Sequence, residues 1–70
     1  MKASATYTLN GEQKNCSGHA CLSDLLIELS MTPGSLVVEV NRRIIAKEDY
    51  GKIVIQPGDQ IEIIHFVGGG

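Results

Sequence analysis

The sequence predicts an α+β domain in which a mixed β-sheet packs on one main helix, in the order β-β-α-β-β-β. Three observations predict it. A run of period two opens the chain and ends in Asn-Gly; one stretch of helical periodicity follows; β-rich runs divided by turn signals complete it. A helical stripe and an apolar sheet face each need cover, and packing them together supplies it.

The opening run "ATYTL" alternates Ala5, Tyr7 and Leu9 against Thr6 and Thr8, with high β propensity on both faces. Asn10-Gly11 ends it, a strong hairpin signal because a type I′ turn needs positive φ at both central residues. The returning run "EQKNCS" is polar and reads as an edge strand. The period then changes. Leu22, Leu25, Leu26 and Leu29 fall at i, i+3, i+4 and i+7, one face of a helix of about two to three turns. Ser23, Asp24 and Glu28 take the other faces, and Asp24 suits the positive end of the helix. Pro33-Gly34 is the expected stop.

In "LVVEV", Leu36, Val38 and Val40 face one side, and Val37 and Glu39 the other. "NRRII" reads as a turn into a short strand. "AKEDYGK" is a polar connector that Tyr50 can anchor, and "IVI" is a short apolar patch. Pro57-Gly58-Asp59 is a tight turn with φ preset by the proline. "QIEIIHFV" is the last strand.

Seventy residues make one domain, near the smallest size that a single core can hold together unaided. With 43% hydrophobic residues, no Trp, one Phe and two Tyr, that core must be aliphatic. A net charge of −2 disfavours nucleic acid and anionic membranes as partners, since both need clustered Lys and Arg. The start "MKASATYTLN" has no apolar signal region, and no window approaches the ~20 apolar residues of a membrane span. A cytoplasmic chain, monomeric when alone, is the expectation. Cys16 and Cys21 are too few for a disulfide scaffold and are expected to be reduced.

Alternation through the final run puts Ile61 and Ile63 on one face and Glu62, Ile64 and Phe66 on the other. Glu62 belongs in water, so Ile61 and Ile63 should meet the helix. Ile64 and Phe66 are then left exposed beside the chain end, and an exposed apolar patch often marks an interface. Residues 1–67 read as the domain, and 68–70 as a flexible glycine tail. Three extended residues reach about 10 Å, at roughly 3.3–3.6 Å each. Lacking side chains, they fit a channel only as wide as backbone, and ordering them costs on the order of 1–2 kcal/mol each. Such a tail can deliver only the Gly70 carboxylate, the least hindered carbonyl for activation. The chain has no phosphate-binding glycine motif with which to activate itself. It is therefore expected to be a protein substrate, not an enzyme.

Competing chemistry is thin. Cys16, His19 and Cys21 form C-x-x-H-x-C, but a structural zinc site needs four ligands and no second cluster supplies the last. A Cys–His nucleophilic pair would lack a pocket and an oxyanion hole. His65 reads as a rim residue with its polar edge in water. Arg42, Arg43 and Lys47 with Glu48 and Asp49 read as a solvated turn or a salt-sensitive contact.

Several stretches carry a family likeness: "LNG", "LSDLLIEL", "VVEVNRRIIAKEDY" and, most specifically, "PGDQIEIIHFVGGG". Over nearly its whole length the chain resembles the thiazole-pathway sulfur carriers, the ThiS family of ubiquitin-like β-grasp proteins. The resemblance implies that the first and last strands lie side by side in the sheet centre. It further implies that a partner adenylyltransferase of the ThiF or E1 kind uses ATP and Mg²⁺ to adenylate Gly70. No cofactor is bound by the chain itself. Sulfur from a persulfide made by a cysteine desulfurase then gives a thiocarboxylate, and a ThiG-like thiazole synthase accepts that sulfur. Gly69 is the second glycine of the family's diglycine, Gly68 adds reach, and Val67 with Phe66 and Ile64 joins tail to docking face. Relatives often cap the helix with Ser or Thr, where Cys21 stands here. The alternatives are a molybdopterin-type sulfur carrier, a protein-conjugating modifier or, from another class, a regulatory or RNA-binding β-grasp module.

Overall fold

The computed structural model describes residues 5–16 and 21–66. Six elements follow the expected order: β1 (Thr6–Leu9), β2 (Glu12–Asn15), α1 (Leu22–Glu28), β3 (Leu36–Val40), β4 (Arg43–Ile45) and β5 (Gln60–His65). Short 3₁₀ turns occupy Pro33–Ser35 and Lys47–Asp49. The strands form one sheet in the order β2-β1-β5-β3-β4. β1 and β5 run parallel at its centre, and every other neighbouring pair is antiparallel. The first and last strands therefore lie side by side, as the family likeness implies.

Both hairpins turn through two residues. Asn10 and Gly11 have φ of 50° and 85°, as a type I′ turn requires. The β3–β4 hairpin does the same with Asn41 at 53° and Arg42 at 71°. A left-handed arginine costs about 1–2 kcal/mol, so Asn-Arg carries a far weaker sequence signal than Asn-Gly.

The helix has only seven residues, too few to persist alone, so packing must hold it. Leu22, Leu25 and Leu26 are buried against the sheet, while Leu29, just beyond the last helical turn, is partly exposed. Cys21 makes no side-chain capping bond. The connector does that work instead: Leu22 N–H donates to the Ile53 carbonyl at 3.0 Å and Ser23 N–H to the Tyr50 carbonyl at 3.2 Å. Two donors left free by any helix start are thus satisfied by backbone. The helix also stops earlier than Pro33-Gly34. Ser30 takes a φ of 58°, its N–H bonds the Ile27 carbonyl at 3.0 Å, and Met31 N–H bonds Leu26 at 2.9 Å. These are the paired bonds of a Schellman stop, with serine where glycine is usual.

The core is aliphatic apart from two tyrosines. Tyr7 and Leu9 of β1, Leu36, Val38 and Val40 of β3, and Ile61 and Ile63 of β5 close over the helix leucines. Tyr50 and Ile55 seal the connector side, which confirms Tyr50 as an anchor. Of the "IVI" patch, Ile53 is half-buried and Val54 exposed, bridging to Cys21. Gln56–Asp59 is a proline turn closed by Asp59 N–H to the Gln56 carbonyl at 3.1 Å, with Gly58 at φ 88°.

Two outcomes follow. Leu22→Ala, at a position with no exposed surface, should lower unfolding free energy by about 2–5 kcal/mol in urea titrations. The exposed Ile27→Ala should stay within about 0.5 kcal/mol. Burial raises the Tyr7 phenol above its ordinary 10.0, with Glu28 and Cys16 adding repulsion, and burial raises Tyr50 too. The folded state thus favours the neutral phenols. Their contribution is complete below pH 10.0 and is lost as pH rises through the higher folded values. Urea midpoints should therefore be flat across neutral pH and fall above about pH 10.

Candidate functional site

The sheet has one face under the helix and, among the described residues, one without cover, and β5 links the second face to the chain end. Strand alternation decides which residues appear there. On β5 these are Gln60, Glu62 and Ile64; Phe66 follows directly after the strand. Val37 lies directly opposite Ile64, and Glu39 opposite Glu62. β4 adds Ile44, paired with Glu39 on its other side.

Ile64 is 46% exposed, Phe66 60% and Ile44 71%; Ile27 and Val54 are exposed to a similar degree elsewhere, and what sets these three apart is that they lie along one sheet face. The expectation that Ile64 and Phe66 point away from the core holds. Phe66 does not fold onto the core rim. Its backbone is nevertheless fixed, because its N–H donates to the Ser35 carbonyl at 2.9 Å. Val67, Gly68, Gly69 and Gly70 lie outside the described residues.

Sequence reasoning missed two features of this face. Ile44 belongs to it, but the three-residue β4 is too short for its alternation to be read. Glu39 and Glu62 face each other with neither in an ion pair among the described residues. Like charges directly opposite destabilise a sheet, and here they sit beside Val37, Ile64 and Ile44 on the same face.

The remaining candidates do not gather. Cys16 and Cys21 are free, half-buried thiols, and Cys16 packs against the core. His19 lies outside the described residues, among which no three metal-ligating side chains come together. His65 is exposed at the end of β5. Two open clefts flank the fold: one lined by Tyr7, Leu25 and Glu28, the other beside β4 by Val40, Arg43 and Ile53. The candidate site is a surface suited to binding another protein.

Similarity to known proteins covers this surface and the tail. The sequence profile of the ThiS family matches residues 7–70. A thiazole synthase of Magnetococcus marinus is 42% identical over 62 residues, taking in 89% of this chain but 19% of that protein. The chain thus spans about a fifth of the thiazole synthases it matches. The sulfur carrier protein ThiS of Bacillus subtilis is 43% identical over 49 residues, covering 70% of this chain and 74% of its own. Among solved structures, the thiamine biosynthesis protein (ThiS) of Geobacter metallireducens superposes with a TM-score of 0.77 at 25% identity. That match covers 93% of this chain and 99% of the other.

The opposed glutamates give a direct test. Glu39→Gln should stabilise the isolated domain, by on the order of half a kcal/mol. Urea titrations should show the gain at low salt and a smaller one at high salt, where repulsion is screened.

Proposed function

The chain belongs to the ThiS family, and from that premise we propose that it is a sulfur carrier serving thiazole formation in thiamine biosynthesis. The reacting group is the carboxylate of Gly70. A carboxylate resists nucleophiles until one oxygen becomes a leaving group. An adenylyltransferase of the ThiF or E1 kind supplies that by transferring AMP from ATP with Mg²⁺. The outer sulfur of a cysteine persulfide then attacks the acyl-adenylate and expels AMP, giving an acyl disulfide, and a thiol reductant cleaves its S–S bond to release the C-terminal thiocarboxylate. A thiazole synthase takes up this sulfur.

One observation carries the reading: the family match runs through the glycine tail, and the strip on the strand that precedes the tail in sequence carries Ile64 and Phe66. In this reading the strip docks the adenylyltransferase, and Val67 through Gly70 reach into its site. Docking offsets the cost of ordering the tail. Similarity to one segment of longer thiazole synthases supports the choice of acceptor and favours the thiazole over the molybdopterin pathway. The carrier itself needs no catalytic residue, because activation and transfer happen on its partners.

Intact mass spectrometry of the chain co-expressed with its pathway neighbours tests this. A fraction should carry sulfur in place of one C-terminal oxygen, and deletion of Gly69 and Gly70 should abolish it. If sulfur transfer survives the deletion, the tail is not the carrier. Phe66→Ala should weaken adenylyltransferase binding by about 1–2 kcal/mol in calorimetry, with the melting temperature preserved.

A further inference from the structure

We propose that Asn10 is a positioning residue for the tail, its side chain standing in for the strand that β1 fails to provide. The inference rests on the carrier reading above and names the part of the fold that aims the carboxylate. β5 is longer than the partner beside it. Its parallel pairing with β1 has only two registers, Thr8 with Gln60 and Leu9 with Ile61. At Asn10 the chain swings into the hairpin while β5 runs on to His65.

Backbone groups of β5 alternate between neighbours. Asp59 and Ile61 carbonyls accept from β1 and its turn, from Thr8 N–H at 2.9 Å and Asn10 N–H at 2.8 Å. Phe66 N–H instead points to the β3 side, to the Ser35 carbonyl. The next backbone groups on the β1 side belong to Ile63, where no β1 residue remains. Asn10 fills that place with its amide. Ile63 N–H donates to Asn10 Oδ1 at 2.8 Å, and Asn10 Nδ2 reaches the Ile63 carbonyl at a long 3.5 Å. A backbone N–H can only donate, so the first bond settles which end of the amide faces it. The side chain repeats the donor and acceptor of a peptide unit.

Asn41 clamps the other end of β5 with a mixture of backbone and side-chain bonds, its Nδ2 donating to Asp59 Oδ1 at 3.1 Å. Its N–H donates to the Gln60 carbonyl at 2.7 Å, and Gln60 N–H donates to its Oδ1 at 3.0 Å. Both asparagines sit in type I′ turns, and both clamp the same strand. They differ in what lies beyond. Asn41 holds the entry of β5 against the Asp59 turn, whereas Asn10 holds its exit. Among the described residues, Asn10–Ile63 is the last bond on the β1 side before the tail, as Phe66–Ser35 is on the β3 side. These two bonds define where the tail departs. Without the first, the exit is held from one side only.

The matched clamps make the test. Glycine accepts positive φ, so Asn10→Gly and Asn41→Gly keep their turns and remove only the clamping amide. ATP–pyrophosphate exchange by the adenylyltransferase, with this chain as substrate, gives kcat and KM at a temperature where circular dichroism shows every variant folded. Misplacing a reacting group by an ångström can cost up to ~100-fold, and a tail that is itself pliable should lose less. Asn10→Gly should lose about tenfold in kcat, with KM within about threefold because the docking strip keeps its β3 bonds. Asn41→Gly should stay within about twofold in kcat. Asn10→Asp keeps the acceptor for Ile63 N–H but turns its second oxygen toward the Ile63 carbonyl, so it should recover only part of the loss. Equal kcat losses in both glycine variants would mean general loosening of β5, and an unchanged kcat in Asn10→Gly would mean no positioning; either overturns the proposal. In both cases wild-type exchange leaves the carrier reading standing. No exchange with wild type overturns the two together.

Discussion

The structure depends on one strand being paired on both sides. β5 enters the sheet between β1 and β3, joining two hairpins that otherwise share no hydrogen-bonded edge. Its two inward isoleucines, Ile61 and Ile63, close the core over Leu22, Leu25 and Leu26. Its outward residues form the uncovered strip. The same few residues thus support the core, present a surface and lead into the tail. Strand alternation keeps the first two duties apart, because neighbouring side chains point to opposite faces.

Central pairing also explains why turn residues matter so much. A strand paired on both sides must satisfy donors and acceptors on both, and its neighbours are not matched to it in length. β1 pairs only as far as Ile61, four residues short of the end of β5, and β3 bends away at Asn41 on the other side. Asparagine can sit at positive φ and offers an amide that imitates the peptide group, so one residue type turns the hairpin and completes the ladder. The helix start follows similar logic. Its first donors find carbonyls of Tyr50 and Ile53, which makes a capping side chain at Cys21 unnecessary.

Local patterns made much of this legible. Tyr7 and Leu9, the leucines of the helix and the alternating residues of β3 announce their burial by spacing alone. Glu62 orients β5 and thereby exposes Ile64 and Phe66. What sequence could not reveal arises from pairings between distant residues. Asn10 and Ile63 are separated by 53 positions, and no local composition hints that they meet. Ile44 escaped notice because a short edge strand shows no period and its turn contains a left-handed arginine. The early helix stop at Ser30 turns on a backbone conformation that serine seldom adopts.

The order of the strands along the chain has a kinetic side. Until residues 60–65 are available, β1 with β2 and β3 with β4 can form only two separate ribbons, and small isolated hairpins are marginal in water. Their inward faces, together with the short helix, remain uncovered for that time. Folding should therefore be a late and nearly concerted event in which β5 zips both ribbons together. Its rate should be limited by closing the long loop between β1 and β5. A fragment lacking those six residues would hold most of the apolar surface and almost none of the tertiary structure, and would be prone to aggregate.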